Sequence, residues 1–434
     1  MLLVRLEVRR DRALAPAYSK NFRSPVIKPL CSVGKHQRFR QGVALYLRRP
    51  SSSHTRHKHR DRHGACTQNQ IRMKVFHCTH CQNLVFYENV ACIHCAHTLA
   101  YLPDLDLVGA LTSLEGGQWR STGFNQERIY RLCENYSQAN VCNWAIPAHE
   151  AGALCWSCRF TQVVPNLTEP ANKAAWYKLE MAKRRVLYTL VHLGLDVKSK
   201  AEEPESGLAF AFLAENGSTE GRRVLTGHAN GVITINVAEA DDVERERQRQ
   251  QLHEPYRTLL GHFRHEVGHY YWDQLVKSNA AINDFREYFG DERKDYFEAL
   301  QVHYRQGPPA EWQSRYVSPY AAVHPWEDWA ETWAHYLHMT DVLETAVACG
   351  LSLRPRRSDE PKLKPEVDMT SRRAESFDQL IEGWFALTYV LNNLNRALGL
   401  QDGYPFVLSL PAIDKLRFVH MTIGAGARRF HEVA

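Results

Sequence analysis

The stretch that most constrains this chain is Thr258-Leu-Leu-Gly-His-Phe-Arg-His-Glu-Val-Gly-His-Tyr-Tyr-Trp-Asp273, which contains the pattern H-E-x-x-H at His265–His269. On a helix, His265 and His269 leave the same face one turn apart. Two imidazole nitrogens so spaced can share one Zn²⁺ at roughly 2.0–2.1 Å each. Glu266 lies beside that face and can take a proton from a water on the metal. A surface helix could carry two histidines by chance. The positions of Leu259, Leu260, Phe263, Val267, Tyr270, Tyr271, Leu275 and Val276 argue against that reading, because they predict a largely buried helix. Two histidines and a glutamate on such a helix need partners.

Eleven cysteines are present, and eight of them fall into metal-like spacings. Cys78 and Cys81 form one CxxC knuckle, and Cys92 and Cys95 form a second. Two knuckles predict a closed tetrahedral Cys₄ zinc site, structural and not catalytic. Leu84–Tyr87 reads as a hairpin strand between them, as in a zinc ribbon. Cys133, Cys142, Cys155 and Cys158 give a looser signal for a second structural zinc. Cys31, Cys66 and Cys349 have no metal-like spacing and are expected to carry no chemistry. The N-terminus lacks an apolar core and a small-residue cleavage site, so thiols in a reducing, cytoplasmic setting are expected. No run of about 18 apolar residues occurs, so no membrane span is expected.

The net charge of +6 is unevenly spread. Residues 1–72 carry 17 basic against 3 acidic residues, a net of +14, whereas the remainder carries 37 against 45, a net of −8. The first 72 residues are rich in Arg, His and Ser and are expected to be a disordered extension. They could be a basic arm, a transit peptide, or a segment outside the functional protein. The last is favoured, because Met73 opens directly into the cysteine module.

The expected organisation is a zinc-ribbon region at 73–165, a linker from Pro165 to Pro170, and a larger domain at 170–434. Within that domain a helix is expected from Asn172 to about Leu195, with Lys183-Arg184-Arg185 on a solvated face. Leu208–Leu213 and Val232–Val237 read as strands. A strand just ahead of the motif helix could rim a cleft where a peptide adds itself as a further strand. Asp241–Arg249 reads as an exposed charged helix, 351–375 as a loop, and Phe377–Leu398 as a helix ended by Gly399. A short last helix at Pro411–Met421 and a loose Gly424-Ala-Gly426 tail complete the reading.

Two histidines do not complete a catalytic zinc site, which needs a third protein ligand and one open position. The segment His324-Pro-Trp-Glu-Asp-Trp-Ala-Glu-Thr-Trp-Ala-His-Tyr-Leu-His338 offers Glu327 and Glu331, four apart on one helical face. Pro325 suits the first turn of that helix. Residue type alone does not choose between the two glutamates. H-E-x-x-H followed by a glutamate from a later helix resembles the gluzincin metallopeptidases. The nearer resemblance, over about 73–422, is to bacterial proteins described as "putative zinc-binding metallopeptidases", which carry cysteine-knuckle ribbons ahead of the peptidase domain. Glu327–Trp333 is also similar to the corresponding segment of anthrax lethal factor. That resemblance makes His265, His269 and Glu327 the zinc ligands, Glu266 the general base, Tyr320 an electrophilic helper and Glu331 a partner that orients a ligand imidazole. Many gluzincins have Asp where this chain has Glu331. Asp273 and His262, on the motif helix, are expected to form structural hydrogen bonds and not to touch the metal.

The resulting expectation is an α+β protein. Zinc-ribbon β modules precede a mostly helical, zincin-like domain with a small sheet, and the protein holds one catalytic and one or two structural Zn²⁺. Its substrate would be a peptide or protein, and the ribbon could dock a protein partner. Two rivals are a zinc-held binding scaffold without catalysis and a nucleic-acid binder using the basic arm. Glu266 weighs against the first, since a site that only held metal would not require that carboxylate. The net acidic remainder weighs against the second.

Overall fold

The computed structural model describes residues 75–124, 126–215, 224–251, 258–353, 356, 377–404 and 407–433. The expected basic extension, Cys31, Cys66 and most of the 351–375 loop lie outside the described residues.

The first module is a small hairpin of β1 (Phe76–His77) and β2 (Leu84–Val85), paired antiparallel. Its two knuckles repeat one backbone solution. Cys78 N–H donates to Asn83 O and Gln82 N–H to Cys78 O, while Cys92 N–H donates to His97 O and Ala96 N–H to Cys92 O. The residue after each knuckle, Gln82 (φ 60) and Ala96 (φ 59), is left-handed, which closes the turn tightly enough to aim both thiols inward.

A five-stranded antiparallel meander follows: β3 (Thr98–Leu102), β4 (Leu107–Ser113), β5 (Gln118–Ser121), β6 (Ile129–Leu132) and β7 (Ala145–Pro147). A one-turn helix, α1 (Glu134–Ser137), lies between β6 and β7. Leu99, Leu102, Val108, Tyr130 and Trp144 form the core of this region with the cysteines.

The second sheet has the order β10-β11-β9-β8. Its strands are β8 (Thr161–Val163), β9 (Ala209–Leu213), β10 (Gly227–Ala229) and β11 (Val232–Asn236). β9 runs parallel to both neighbours, and its apolar run is buried on both faces, as central parallel strands require. β11 alternates buried and half-buried positions. The antiparallel β10 and the parallel β8 are the two edge strands among the described residues. The strand at 232–237, which the sequence suggested as a cleft rim, is therefore interior, and the edge nearer to it belongs to β10. β8 lies on the ribbon side of the expected linker yet pairs with β9, so the ribbon region and the helical region share a sheet.

Helix α2 (Pro170–His192) begins with Pro at its first turn and buries Trp176, Leu179, Val186, Leu187 and Leu190. The Lys183-Arg184 pair is not a solvated face. Both side chains are buried, because α2 is covered on that side by the ribbon. Lys183 Nζ meets Glu180 Oε2 at 2.8 Å and Thr161 Oγ1 at 2.5 Å, and Arg184 Nη1 donates to Val141 O at 2.9 Å. Buried cations are tolerated only with such partners.

The remaining helices are α3 (Asp242–Gln251), α4 (Leu259–Leu275), α5 (Ala281–Phe289), α6 (Tyr296–Gln306), α7 (Pro325–Ala348), α8 (Phe377–Ala397) and α9 (Leu410–Val433). Trp329, Trp333 and Trp384 are fully buried among them; each tryptophan removes about 150–250 Å² from water. α9 is one long helix and not a short helix with a loose tail. Gly426 is a packing residue there: a Cβ on it would stand 3.0 Å from Leu275 Cδ2. Among the described residues, no helix is long and apolar enough to cross a membrane.

Candidate active site

Helix α4 starts at Thr258, whose side chain accepts from Gly261 N–H at 2.9 Å. Seven residues on, His265 and His269 present their Nε2 atoms 3.1 Å apart. Helix α7 starts at His324, whose Nδ1 accepts from Trp326 N–H at 3.2 Å, with Pro325 following. Glu327 thus falls in the first turn, where the helix dipole favours a carboxylate. Its Oε2 lies 3.0 Å from His265 Nε2 and 3.5 Å from His269 Nε2.

The two helices meet closely because of Gly268. A Cβ at Gly268 would lie 3.1 Å from Ala330 Cα and 3.1 Å from Trp333 Cδ1. Trp329 Nε1 donates to Gly268 O at 2.8 Å, and Tyr271 stacks on Trp333 with centroids 5.0 Å apart. The variable residue of the motif therefore sets the distance between histidines and glutamate. From the far side, Lys415 of α9 ties α7 in place, with Nζ 2.6 Å from Asp328 Oδ2.

Around the cluster, His265 and Glu327 are each hydrogen-bonded by a neighbour, whereas His269 Nδ1 is buried with no hydrogen-bond partner among the described residues. Glu331 Oε1 lies 2.7 Å from His265 Nδ1, and Ser318 Oγ donates to Glu331 Oε2 at 2.6 Å. Tyr296 OH donates to Glu327 Oε1 at 2.7 Å. The Trp326 ring lies against His269 with centroids 3.7 Å apart. Burial alone would lower the His265 pKa, yet Glu327 and Glu331 push it well above its ordinary value. Burial would raise Glu327, and the charges of His269 and His265 instead hold it well below the carboxylate range. Glu331 is likewise held at about 2, against burial, by His265. Two carboxylates and two imidazoles buried this close together suit a shared metal cation.

Tetrahedral zinc with Zn–N near 2.05 Å spaces its donors by roughly 3.3 Å. The observed 3.0, 3.1 and 3.5 Å fit that spacing. Glu327 Oε2 has no hydrogen-bond donor of good geometry among the described residues, as expected of an atom reserved for a metal. His265, His269 and Glu327 can therefore hold one ion, and a cavity of about 1000 Å³ opens beside them.

Glu266 lines this cavity and is buried. Burial would raise its pKa, but the hydrogen bond and charge of His262 hold it below the ordinary value. Tyr320 lies over the site, its ring centroid 6.0 Å from that of His265. Of the two further polar residues on the motif helix, His262 bonds within the protein and Asp273 pairs with Lys277 at 3.0 Å. Tyr296, Ser318, Trp326 and Glu239 are the site residues that the sequence reading missed. Only Trp326, flanked by Pro325 and Glu327, stood next to a recognised position.

The cysteines form two further groups, Cys78/Cys81/Cys92/Cys95 and Cys133/Cys142/Cys155/Cys158. Sulfur separations of 3.6 Å (Cys78–Cys95 and Cys81–Cys92) and 3.7 Å (Cys142–Cys155) match the roughly 3.8 Å edge of a tetrahedral zinc–thiolate centre. Cys349 is exposed and outside both groups.

Two cysteine clusters thus precede a helical domain that carries a His–His–Glu donor set. The model of the family described as "putative zinc-binding metallo-peptidase" matches residues 172–422, and the chain belongs to that family. A zinc-ribbon domain model matches residues 75–169. The chain is 41% identical over 359 residues to an uncharacterized protein of Mycobacterium bovis, covering 82% of this chain and 97% of the relative. Uncharacterized proteins from two strains of Mycobacterium tuberculosis match to the same extent. No solved structure matches.

Proposed function

We propose that this chain is a gluzincin-type, zinc-dependent peptidase that hydrolyses peptide bonds in a peptide or protein substrate. The observation that carries the reading is the convergence of His265 Nε2, His269 Nε2 and Glu327 Oε2 beside a cavity that Glu266 also lines. Zinc held by those three residues would supply a Lewis acid with one position left for water or substrate. Glu266 takes a proton from the attacking water as its oxygen joins the scissile carbonyl carbon. Glu266 then delivers that proton to the leaving amine as the C–N bond breaks. Tyr320 donates a hydrogen bond to the carbonyl oxygen as charge develops there. Glu331, on His265 Nδ1, keeps the other ring nitrogen facing the site. Among the described residues β10 has a single strand neighbour, and its other side offers backbone for an extended substrate; His228 on that strand lines the cavity.

The two cysteine groups are read as structural zinc centres, giving one catalytic and two structural ions. Eight thiols held as metal ligands suit a reducing, cytoplasmic setting. On the ribbon, Leu84, Phe86 and Ile93 are exposed and would suit a protein partner. Against a purely structural metal site stands Glu266 itself. Its Oε2 is buried with no hydrogen-bond partner among the described residues, a costly arrangement for a mere scaffold.

The test is metal content by mass spectrometry on the purified full chain, alongside cleavage of casein and a peptide library. About three zinc per chain are expected, with Glu266→Gln retaining all of them and losing cleavage. Cleavage that survives in Glu266→Gln would overturn the mechanism. Full zinc in His265→Ala would overturn the ligand set.

A further inference from the structure

We propose that His262, held by Glu239, is a positioning residue that aims the carboxylate of Glu266; the proposal rests on the peptidase reading above. His262 stands one helical turn before Glu266 on α4, so the two side chains share a face. His262 Nε2 lies 3.2 Å from Glu266 Oε1. The other ring nitrogen, Nδ1, is in close contact with Glu239 Oε2. Glu239 is only 4% exposed and sits in the 3₁₀ turn Val237–Ala240 between β11 and α3. Its second oxygen accepts from Thr226 Oγ1 at 2.7 Å, and Thr226 Oγ1 accepts from Asn236 N–H at 3.0 Å. The chain Thr226–Glu239–His262–Glu266 therefore runs from the sheet to the motif helix.

A glutamate side chain is among those with most rotamer freedom to lose on ordering. Fixing one oxygen on a rigid imidazole leaves the other a single direction. In Glu266 the remaining oxygen, Oε2, is buried and has no hydrogen-bond partner among the described residues. His262 does not join the metal-type donor group, which comprises His265, His269 and Glu327. Its ring centroid is 6.3 Å from that of His265. It is therefore placed to act on the reaction through Glu266.

The probe is acetohydroxamate, a small zinc chelator whose hydroxyl proton a carboxylate beside the metal can take up. Its affinity is measured by calorimetry on the zinc-loaded full chain for wild type, His262→Ala, Glu266→Gln and the double variant. His262→Ala is expected to weaken binding roughly 10- to 100-fold, as for a lost hydrogen bond to a charged group. The double variant is expected to bind no more weakly than Glu266→Gln alone, the signature of two residues acting as one. Zinc content stays at the wild-type level in all four. On a cleaved peptide, His262→Ala lowers kcat with KM unchanged, and added imidazole restores part of the loss. Glu239→Gln, which keeps the packing volume, moves both readouts the same way by less, and guards against a folding defect in His262→Ala. Wild-type affinity in a fully zinc-loaded His262→Ala, or additive losses in the double variant, would overturn the proposal. A wild-type protein that carries zinc yet neither binds acetohydroxamate nor cleaves any peptide would sink the peptidase reading, and the proposal with it.

Discussion

The second cysteine cluster and the histidine–glutamate cluster are assembled by opposite routes. Cys133, Cys142, Cys155 and Cys158 come from one short stretch, are all buried, and offer four donors, so a metal there has no open side. His265 and Glu331, by contrast, are 66 residues apart and meet only because α4 and α7 pack together. That cluster offers three donors, and all three residues line the cavity. Closure makes a metal part of the fold, whereas the open side makes it available to a substrate. The same contrast appears in the surrounding contacts. Backbone N–H groups serve the cysteine sulfurs, as Trp144 does for Cys142 at 3.4 Å and Cys155 for Cys133 at 3.3 Å. Side chains on loops and helices serve the histidine cluster.

The sharpest way to break this comparison is to open each centre in turn. Cys155→Ser should remove one zinc and unfold the chain or lower its melting temperature by at least about 10 °C, since structural zinc contributes folding energy directly. His265→Ala should also lose one zinc yet melt within a few degrees of wild type. Equal collapse of both in scanning fluorimetry would erase the distinction between closed and open centres. A smaller effect is expected at Glu331, which touches His265 Nδ1. Glu331→Gln should weaken zinc at that centre about 10- to 100-fold in chelator competition, with the two cysteine centres unaffected. Unchanged affinity would mean that Glu331 does not orient His265.

Gly268→Ala tests the helix contact. A methyl group forced against Ala330 and Trp333 should cost about 1–3 kcal/mol in denaturant unfolding. It should also weaken zinc at the histidine centre alone, because it pushes Glu327 away from the imidazoles. Stability lost with zinc affinity unchanged would separate packing from the site.

The smallest effect concerns pH. His335 is buried, its Nδ1 meets the Tyr404 hydroxyl, and burial lowers its pKa to about 4. A histidine depressed below its unfolded value of about 6.5 contributes fully above that pH, and the contribution fades as pH falls toward 4. Stability should therefore drop by about 1.6 kcal/mol between pH 6.5 and 5 from this group. His335→Gln should make that part of the profile shallower without abolishing it, because burial also depresses His228 and His338. An unchanged slope would show that another group carries it.

Much of the site could be read from spacing because its parts are local. H-E-x-x-H sits on one helix, the CxxC knuckles are each a single turn, and Pro325 marks the start of α7. The residues that the reading missed are those that spacing cannot reach. Glu239 precedes His262 by 23 residues, and Tyr296 precedes Glu327 by 31. Lys183 and Arg184 were misread for a related reason. A cationic triplet on a helix reads as solvated unless the ribbon that covers it, and Glu180 beside it, are known. The Gly424/Gly426 tail failed likewise, since a glycine needed for close packing looks like one that ends a helix until its neighbour Leu275 is seen.

The sequence by itself determined the kinds of donor and their local grouping: two sets of thiols, two histidines one turn apart, and two glutamates on one later helix. Residue chemistry and helical or knuckle geometry operate over a few residues, so they survive without a fold. The tertiary structure decided what each group faces. Gly268 and the tryptophans of α7 brought Glu327 onto the Nε2 side of His265 and Glu331 onto its Nδ1 side, where residue type had left both open. It also put β10 at one edge of the second sheet and the more regular β11 inside it. These outcomes depend on which apolar faces pack together, and that competition is resolved only when the whole core forms.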